Sequence, residues 1–549
     1  MCSDDPNALE QVFPACRAAL GPKAWRHLLA SCKENTDRAH FPFPENGPCP
    51  YFPDYLPDLA RLEWLRHTVA ATPVPPLHEG DAFALNPTLE LVRLPWRLSP
   101  LLVMETGAAP PMPLQAEEHV MVWRMPETGQ TCVAAATDAD LLTLKVLAED
   151  MPLPAAAAAA GVPLTRIERA LYAASAQGFV LAPPSRIRRD PALFPVPAGA
   201  PEDLVCSNSF LIQWHITHAC DLRCKHCYDR SRRSPLTLEQ GVAILDDLLE
   251  FCRTRRVRGH VCFSGGNPFL HPRFFDLYRA AAERDLPTSV LGNPAPRAQV
   301  RQLLAIQPLQ YFQVSLEGLP EHNDAIRGAG HFARTIEFLG VLRDLGVSST
   351  VMLTLTRDNM GQVLELAERL RGHAGHFTFN RLAQVGEGAN LALPTPAEYD
   401  AFLDAYLDAA EGNPLLGLKD NLINVARARR GLGPCSGCTG FGCGAAFNFV
   451  AVLPDGEVHA CRKFPSPIGN VLTQKLGVIC DGEAARRYRG GSAACSSCRL
   501  RLACGGCMAV AHGRGLDVFR ERDPFCRLDA GPPAQKSPPT NTPAPSLNG

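Results

Sequence analysis

Cysteine placement constrains this chain more than any other feature. Cys220, Cys224 and Cys227 share one short stretch, and Cys435, Cys438, Cys443, Cys461, Cys495, Cys498, Cys504, Cys507 and Cys526 crowd the C-terminal region. The rest of the 21 cysteines, at positions 2, 16, 32, 49, 132, 206, 252, 262 and 480, are scattered and read as small apolar side chains or incidental thiols. The N-terminal MCSDDPNALE has early acids and no apolar h-region, which argues against a secretory signal and for a cytoplasmic location. There, closely spaced cysteines are metal ligands before they are disulfides. No apolar run approaches the ~20 residues of a spanning helix. With a net charge of -2 and a pI near 6.8, no bulk field selects nucleic acid or a membrane surface as a partner.

A chain of 549 residues calls for several domains. Residues 1–112 show a helical period over Leu9–Cys32 and strand-like alternation in AFALNPTLELVRLPW, with no chemical motif and no assignable role. Residues 113–185 read as a winged-helix-like α+β domain. HVMVWRM and TCVAAA form a hairpin, helical stretches follow over Asp138–Glu149, Ala155–Gly161 and Leu164–Gln177, and GFVLA returns as a strand. Its second helix offers only Arg166 and Arg169, too little charge for phosphates, so peptide recognition is the better use of that shape. Residues 186–208 are Pro-rich and predict a linker.

The period then changes. FLIQWHIT, GHVCFSGG, TSVLGN, YFQVSLEG, STVMLTLT and FTFNRLA alternate with amphipathic helices near 237–256, 274–285, 297–306, 331–346 and 359–373. This is an α/β pattern that predicts a partial (β/α)6 barrel over 209–392, with its site at the C-terminal ends of the strands. Residues 393–434 read as a helical connector. Residues 435–530 are Cys- and Gly-rich, with little regular structure expected, and are organised by metal. Residues 531–549 read as a disordered tail.

HITHACDLRCKHCYDR sets Cys220, Cys224 and Cys227 in a C-x-x-x-C-x-x-C loop straight after the first barrel strand. Three thiolates on one loop hold three irons of a [4Fe–4S] cube and leave the fourth iron open. Structural zinc is the alternative and needs a fourth ligand, which His226 or His218 would supply. The loop, ending in Tyr228, resembles that of the radical S-adenosylmethionine (SAM) superfamily. The resemblance spans roughly 209–390 and implies SAM on the open iron, cleaved on reduction to methionine and a 5′-deoxyadenosyl radical. CFSGGNP resembles that family's Gly-Gly-Glu-Pro motif, which implies SAM contacts from Ser264, Gly265, Gly266, Asn267 and Pro268. Asn267 replaces the acid but retains a carbonyl acceptor. VSLEG and HNDAIRG add Ser315, Glu317 and Arg327, the last resembling the arginine that pairs with the SAM carboxylate. No individual catalytic residue is identified.

The later cysteines resemble the SPASM domain of peptide-modifying radical SAM enzymes. By that resemblance Cys443, Cys461 and Cys507 hold one auxiliary [4Fe–4S] cluster, with Cys435 or Cys438 as fourth ligand. Cys495, Cys498, Cys504 and Cys526 hold another. Zinc ribbons are the alternative for paired C-x-x-C. The implied activity is oxidation or crosslinking of a ribosomally synthesised peptide, in a layout similar to selenobiotic-type maturases. Residues 113–185 would bind the precursor's leader, and flavodoxin or ferredoxin would donate electrons. An anaerobic sulfatase-maturating enzyme forming formylglycine and a non-enzymatic iron–sulfur DNA-binding regulator are the competing classes.

Overall fold

The computed structural model describes residues 6–33, 52–75, 79–102, 112–437 and 439–528. The chain divides after Pro184 into two compact units. The expected tail over 531–549 lies outside the described residues.

In the first unit, strands β1 (Ala84–Leu85), β2 (Glu90–Leu94), β3 (Glu118–Arg124), β4 (Thr131–Ala135) and β5 (Val180–Leu181) form two small antiparallel sheets, ordered β2-β3-β4 and β1-β5. Strand β3 shows why its sequence alternates apolar side chains on both faces. Val120 and Val122 enter a core with Phe13, Trp25, Leu56 and Leu59. Met121 and Trp123 face the other way, into a core with Ile167, Leu171 and Phe179. The three helices after the hairpin run Asp138–Ala148, Leu153–Ala160 and Leu164–Ala176. Thr137 and Asp140 build a capping box at the first. Gly161, at φ 64°, ends the second in the left-handed conformation that glycine adopts without strain.

Strand partners differ from the expected segmentation. Strand β2, from the segment read as a separate domain, pairs with β3, and β5 pairs with β1 rather than with the hairpin. Pairing therefore crosses the boundary drawn at 112/113. Local periodicity marks strands but not their partners.

The second unit carries β6 (Ser209–Thr217), β7 (Arg258–Gly265), β8 (Thr288–Leu291), β9 (Leu309–Ser315), β10 (Ser349–Leu355) and β11 (His376–Arg381), parallel neighbours in chain order. Helices Leu238–Arg255, Phe274–Glu283, Arg297–Ile306, His331–Asp344 and Val363–Leu370 separate them. Phe210, Ile212, Trp214 and Ile216 of β6 enter the main apolar core, and the alternate residues Gln213, His215 and Thr217 form a buried polar row. Two features were not expected. A short polar helix occupies Pro320–Arg327. The Cys-rich region also adds β12 (Phe449–Val452), β13 (Glu457–His459) and β14 (Pro467–Asn470), with β12 parallel to β6 and the next two antiparallel. Gly456, at φ 84°, makes the β12–β13 turn, so FNFVAVLPDGEVHAC, read from the sequence only for its cysteine, is a hairpin.

The Pro-rich stretch 186–208 is not a free tether. It belongs to the second unit, closes a bridge between Arg188 and Cys206, and buries Ile187, Arg189, Phe194 and Val205. These scattered anchors are diluted among prolines and small residues, so composition alone conceals them. Fully buried Arg381, at the end of β11, pairs with Asp420 and Asp523 at 2.8 and 2.7 Å, and Asp523 also accepts from the Cys507 amide at 2.8 Å. The barrel edge, the connector and the Cys-rich region are thus tied through one guanidinium. No helix among the described residues is long and apolar enough to cross a membrane.

Candidate functional site

The Cys220–Cys227 loop leaves β6 where Thr217 accepts from the Ala219 amide at 3.0 Å. Strand β7 ends beside it. The amides of Gly266 and Asn267 donate to the carbonyls of Thr217 and Ala219, each at 2.8 Å. A Cβ on Gly265 or Gly266 would lie 2.1 Å from one of those carbonyl oxygens. The two glycines therefore allow the second motif to lie directly on the cysteine loop. Ser264 is buried beside His215 in register, and Pro268 opens a one-turn 3-10 helix over Pro268–Leu270.

Asn267 is 5% exposed. Its carbonyl accepts from the Phe269 amide at 3.3 Å and caps that turn. Its amide donates to Asp221 at 3.1 Å, and Asn293 donates to the same Asp221 oxygen at 2.6 Å. Asn293 also reaches the Cys220 sulfur at 3.6 Å. Asn267 thus brings a carboxylate to a motif that lacks its own.

Glu317 and Arg327 form a buried pair next to the loop. Arg327 Nε and Nη2 donate to Glu317 Oε1 at 2.9 and 2.6 Å, and Nη1 reaches the Cys224 sulfur at 3.7 Å. Glu317 Oε2 accepts from the Thr354 amide at 2.8 Å. Burial pushes the Glu317 carboxyl up, but His226, Arg327 and that amide outweigh it and hold it below the usual range. Burial lowers His226. Ser315 ends β9. Tyr228 is turned into the barrel, where its hydroxyl meets His215 Nε2 at 3.2 Å. Asp221, His215 and Asn293 were not singled out from the sequence, and His226 was named only as a ligand for the zinc alternative. Asn293 had a signal, its place at the end of a barrel strand run.

The thiols fall into groups. Burial raises Cys224, with Arg327 opposing and Cys220 and Cys227 adding to the rise. Burial pushes Cys443 up to about 12, and Cys461 and Cys507 act on it. Burial raises Cys495 and Cys504; Cys498 and Cys526 act on the first and Cys526 on the second. Cys435 is raised to about 11 by burial and feels Arg427 but no other described thiol. Asn424 pins its backbone at both N–H and C=O. Cys438 lies outside the described residues. No three His, Cys, Asp or Glu side chains among the described residues converge on a single ion position; a cube of four irons spreads its thiolates further apart than one ion does. Three thiols on one loop, flanked by Asn293 and Arg327 donors aimed at sulfur, suit such a cube.

Buried histidines make the fold acid-sensitive. Burial, helped by Arg462, lowers His215 to about 3. Burial, helped by Arg327, lowers His331 to about 4. Unfolded, both imidazoles take up protons below about 6.5. The unfolded chain therefore binds protons first as pH falls, and stability present above pH 6.5 is lost progressively toward pH 4. The urea midpoint of cluster-free protein should drop across that window; a flat midpoint would contradict the assignment.

A model of the radical SAM superfamily matches residues 214–370, and a model of the SPASM iron–sulfur cluster-binding domain matches residues 443–505. The chain is 32% identical over 348 residues to the mycofactocin maturase MftC of Mycobacterium ulcerans, covering 59% of this chain and 89% of that protein. It is 25% identical over 353 residues to an AdoMet-dependent heme synthase of Nitratidesulfovibrio vulgaris, covering 58% and 91%. The crystal structure of Streptococcus suis SuiB bound to S-adenosylmethionine shares 16% identity at a TM-score of 0.48, over 75% of this chain and 96% of that one.

Proposed function

Since the chain belongs to the radical SAM superfamily and carries a SPASM iron–sulfur domain, we propose that it oxidises or crosslinks a ribosomally synthesised peptide held by its first unit. The observation that carries this reading is the β2-β3-β4 sheet, in which β4 is a terminal strand whose outer edge pairs with no other strand among the described residues, a place where an extended peptide could add. An extended leader gains main-chain hydrogen bonds there without needing charge. Duplex binding is the weaker reading of the same unit, because its second helix offers only Arg166 and Arg169 to phosphates. A heme-synthase activity is the competing enzymatic reading, and the 25% identical relative supports it.

In this reading Cys220, Cys224 and Cys227 hold the SAM-binding cluster. Cys443, Cys461 and Cys507 hold one auxiliary cluster, with Cys435 or Cys438 completing it, and Cys495, Cys498, Cys504 and Cys526 hold the other. When bound, cluster and SAM supply a 5′-deoxyadenosyl radical that abstracts hydrogen. The chain's own part is orientation. Gly265 and Gly266 bring backbone to the loop, and Asn267 presents Asp221 to the SAM amino group. Arg327, already braced by Glu317, places positive charge beside Cys224. A flavodoxin- or ferredoxin-type donor would supply the electron.

Asn267→Ala should weaken SAM binding with no loss of iron. The bond lost orients Asp221, whose same oxygen Asn293 still holds, so the loss should be at most the ~1.5–3 kcal/mol of one charge-assisted hydrogen bond, up to roughly ten- to a hundredfold in Kd. Unchanged affinity by calorimetry would reduce the motif to a turn. The functional reading is tested by incubating reduced enzyme and SAM with a precursor encoded beside it and weighing the product. A mass loss in its core segment supports peptide modification. Turnover of a tetrapyrrole or of a sulfatase peptide instead would overturn it.

A further inference from the structure

Three arginines meet where the two auxiliary cysteine sets approach each other. Arg189, Arg489 and Arg501 line a small pocket, about 20 Å³, together with Cys443 and Cys495. Arg189 is 4% exposed and Arg501 7%. Both lie over the Phe194 ring, at 5.0 and 4.6 Å from its centroid, and Arg189 also lies 3.7 Å over Phe447. Arg189 Nη2 donates to the Phe441 and Cys443 carbonyls at 3.2 and 2.8 Å. Arg501 Nη2 donates to the Gly490 carbonyl at 2.7 Å. Arg489 Nη1 donates to the Ala446 and Cys480 carbonyls at 3.0 and 2.5 Å.

These contacts give Arg189 and Arg501 carbonyl acceptors but no carboxylate counter-charge, whereas Asp481 acts favourably on Arg489. Among the described residues none of the three makes an ion pair with a carboxylate, whereas buried Arg381 has two such partners. Arg189 Nε and the Nε and Nη1 of Arg501 are buried with no hydrogen-bond partner. Burial lowers Arg189 to about 10, with Arg489 and Arg501 adding to the effect and Cys443 opposing it. Cys495 and Cys498 act on Arg501 in the same favourable sense. Burying cations this way is costly unless an anion faces them, and the anions placed to do so are thiolates of the two sets.

We propose that Arg189 and Arg501 are the counter-charges of the two auxiliary clusters and raise their reduction potentials, Arg189 acting on the Cys443 set and Arg501 on the Cys495–Cys498 set. The inference rests on the cluster assignment above. A cube ligated by thiolates is an anion, and reduction by one electron adds one negative charge. A buried guanidinium therefore favours the reduced form more than the oxidised one, and does so strongly where water is excluded. Arg189 and Phe194 both come from the Pro-rich stretch 186–208, which gives that stretch a role in electron handling. Both arginines are positioning residues, since neither supplies a ligand.

The test uses the full chain with Cys220, Cys224 and Cys227 changed to Ala, so that the auxiliary clusters alone give signals. Redox titration with dithionite, followed by electron paramagnetic resonance, is compared for this parent and for added Arg189→Gln, Arg189→Lys or Arg501→Gln. Iron should stay at about eight per chain, two cubes of four. Arg189→Gln should move one cluster's one-electron equilibrium at least tenfold toward oxidised, about 59 mV, and Arg501→Gln should move the other. Arg189→Lys should recover most of the shift. Unmoved midpoints with full iron would overturn the proposal. Equal iron loss in Arg189→Gln and Arg189→Lys would also overturn it, since packing would then be the arginine's role. A parent that holds no auxiliary iron would instead fail the cluster assignment itself.

Discussion

Changing Cys220, Cys224 and Cys227 together to Ala is expected to abolish SAM cleavage while leaving most of the iron in place. The three thiols sit on a loop whose backbone is held from outside: Thr217 fixes Ala219, and Ile326 accepts from the Lys225 amide at 3.1 Å. The loop should survive loss of its sulfurs. About four irons should be lost from about twelve, and 5′-deoxyadenosine formation should fall to background. The auxiliary cysteines depend on other elements. Asp523 holds the Cys507 amide, and Arg381 holds Asp523 from inside the barrel. Complete loss of iron in the triple variant would mean that the cysteine groups are not independent. Retained SAM cleavage would place the open iron elsewhere.

The barrel was legible because its strands and helices announce themselves locally. Runs such as STVMLTLT between amphipathic helices leave little choice but a parallel sheet. Cysteine spacing carried nearly as much, since the thiols that act on one another at Cys443 and at Cys495 are those the SPASM resemblance groups together. What stayed hidden depends on distant partners. That β2 completes the sheet of β3, or that β12 extends the barrel sheet beside β6, is a matter of long-range pairing that periodicity does not encode. Asp221 and Asn293 become site residues only when the ends of β6, β7 and β8 lie side by side. Arg189 sat in a stretch whose prolines suggested a tether, yet its side chain is buried against the Cys443 carbonyl. Polar residues with buried partners escape a reading built on apolar period and composition.

The second large effect concerns the first unit, residues 1–184. Its two apolar cores are its own, and the cysteines assigned to clusters all lie beyond it. Removing it should leave iron content and uncoupled SAM cleavage largely intact. Precursor modification should nevertheless collapse. A core segment that binds the barrel poorly depends on a tethered leader for its local concentration, and tethering of this kind is worth roughly 10²–10⁴ in apparent affinity. The measurement is therefore precursor Kd and turnover, compared for the whole chain and residues 185–549. Tight binding and product are expected for the whole chain, and weak binding with little product for the truncated one. Equal affinity and equal turnover in both would contradict it.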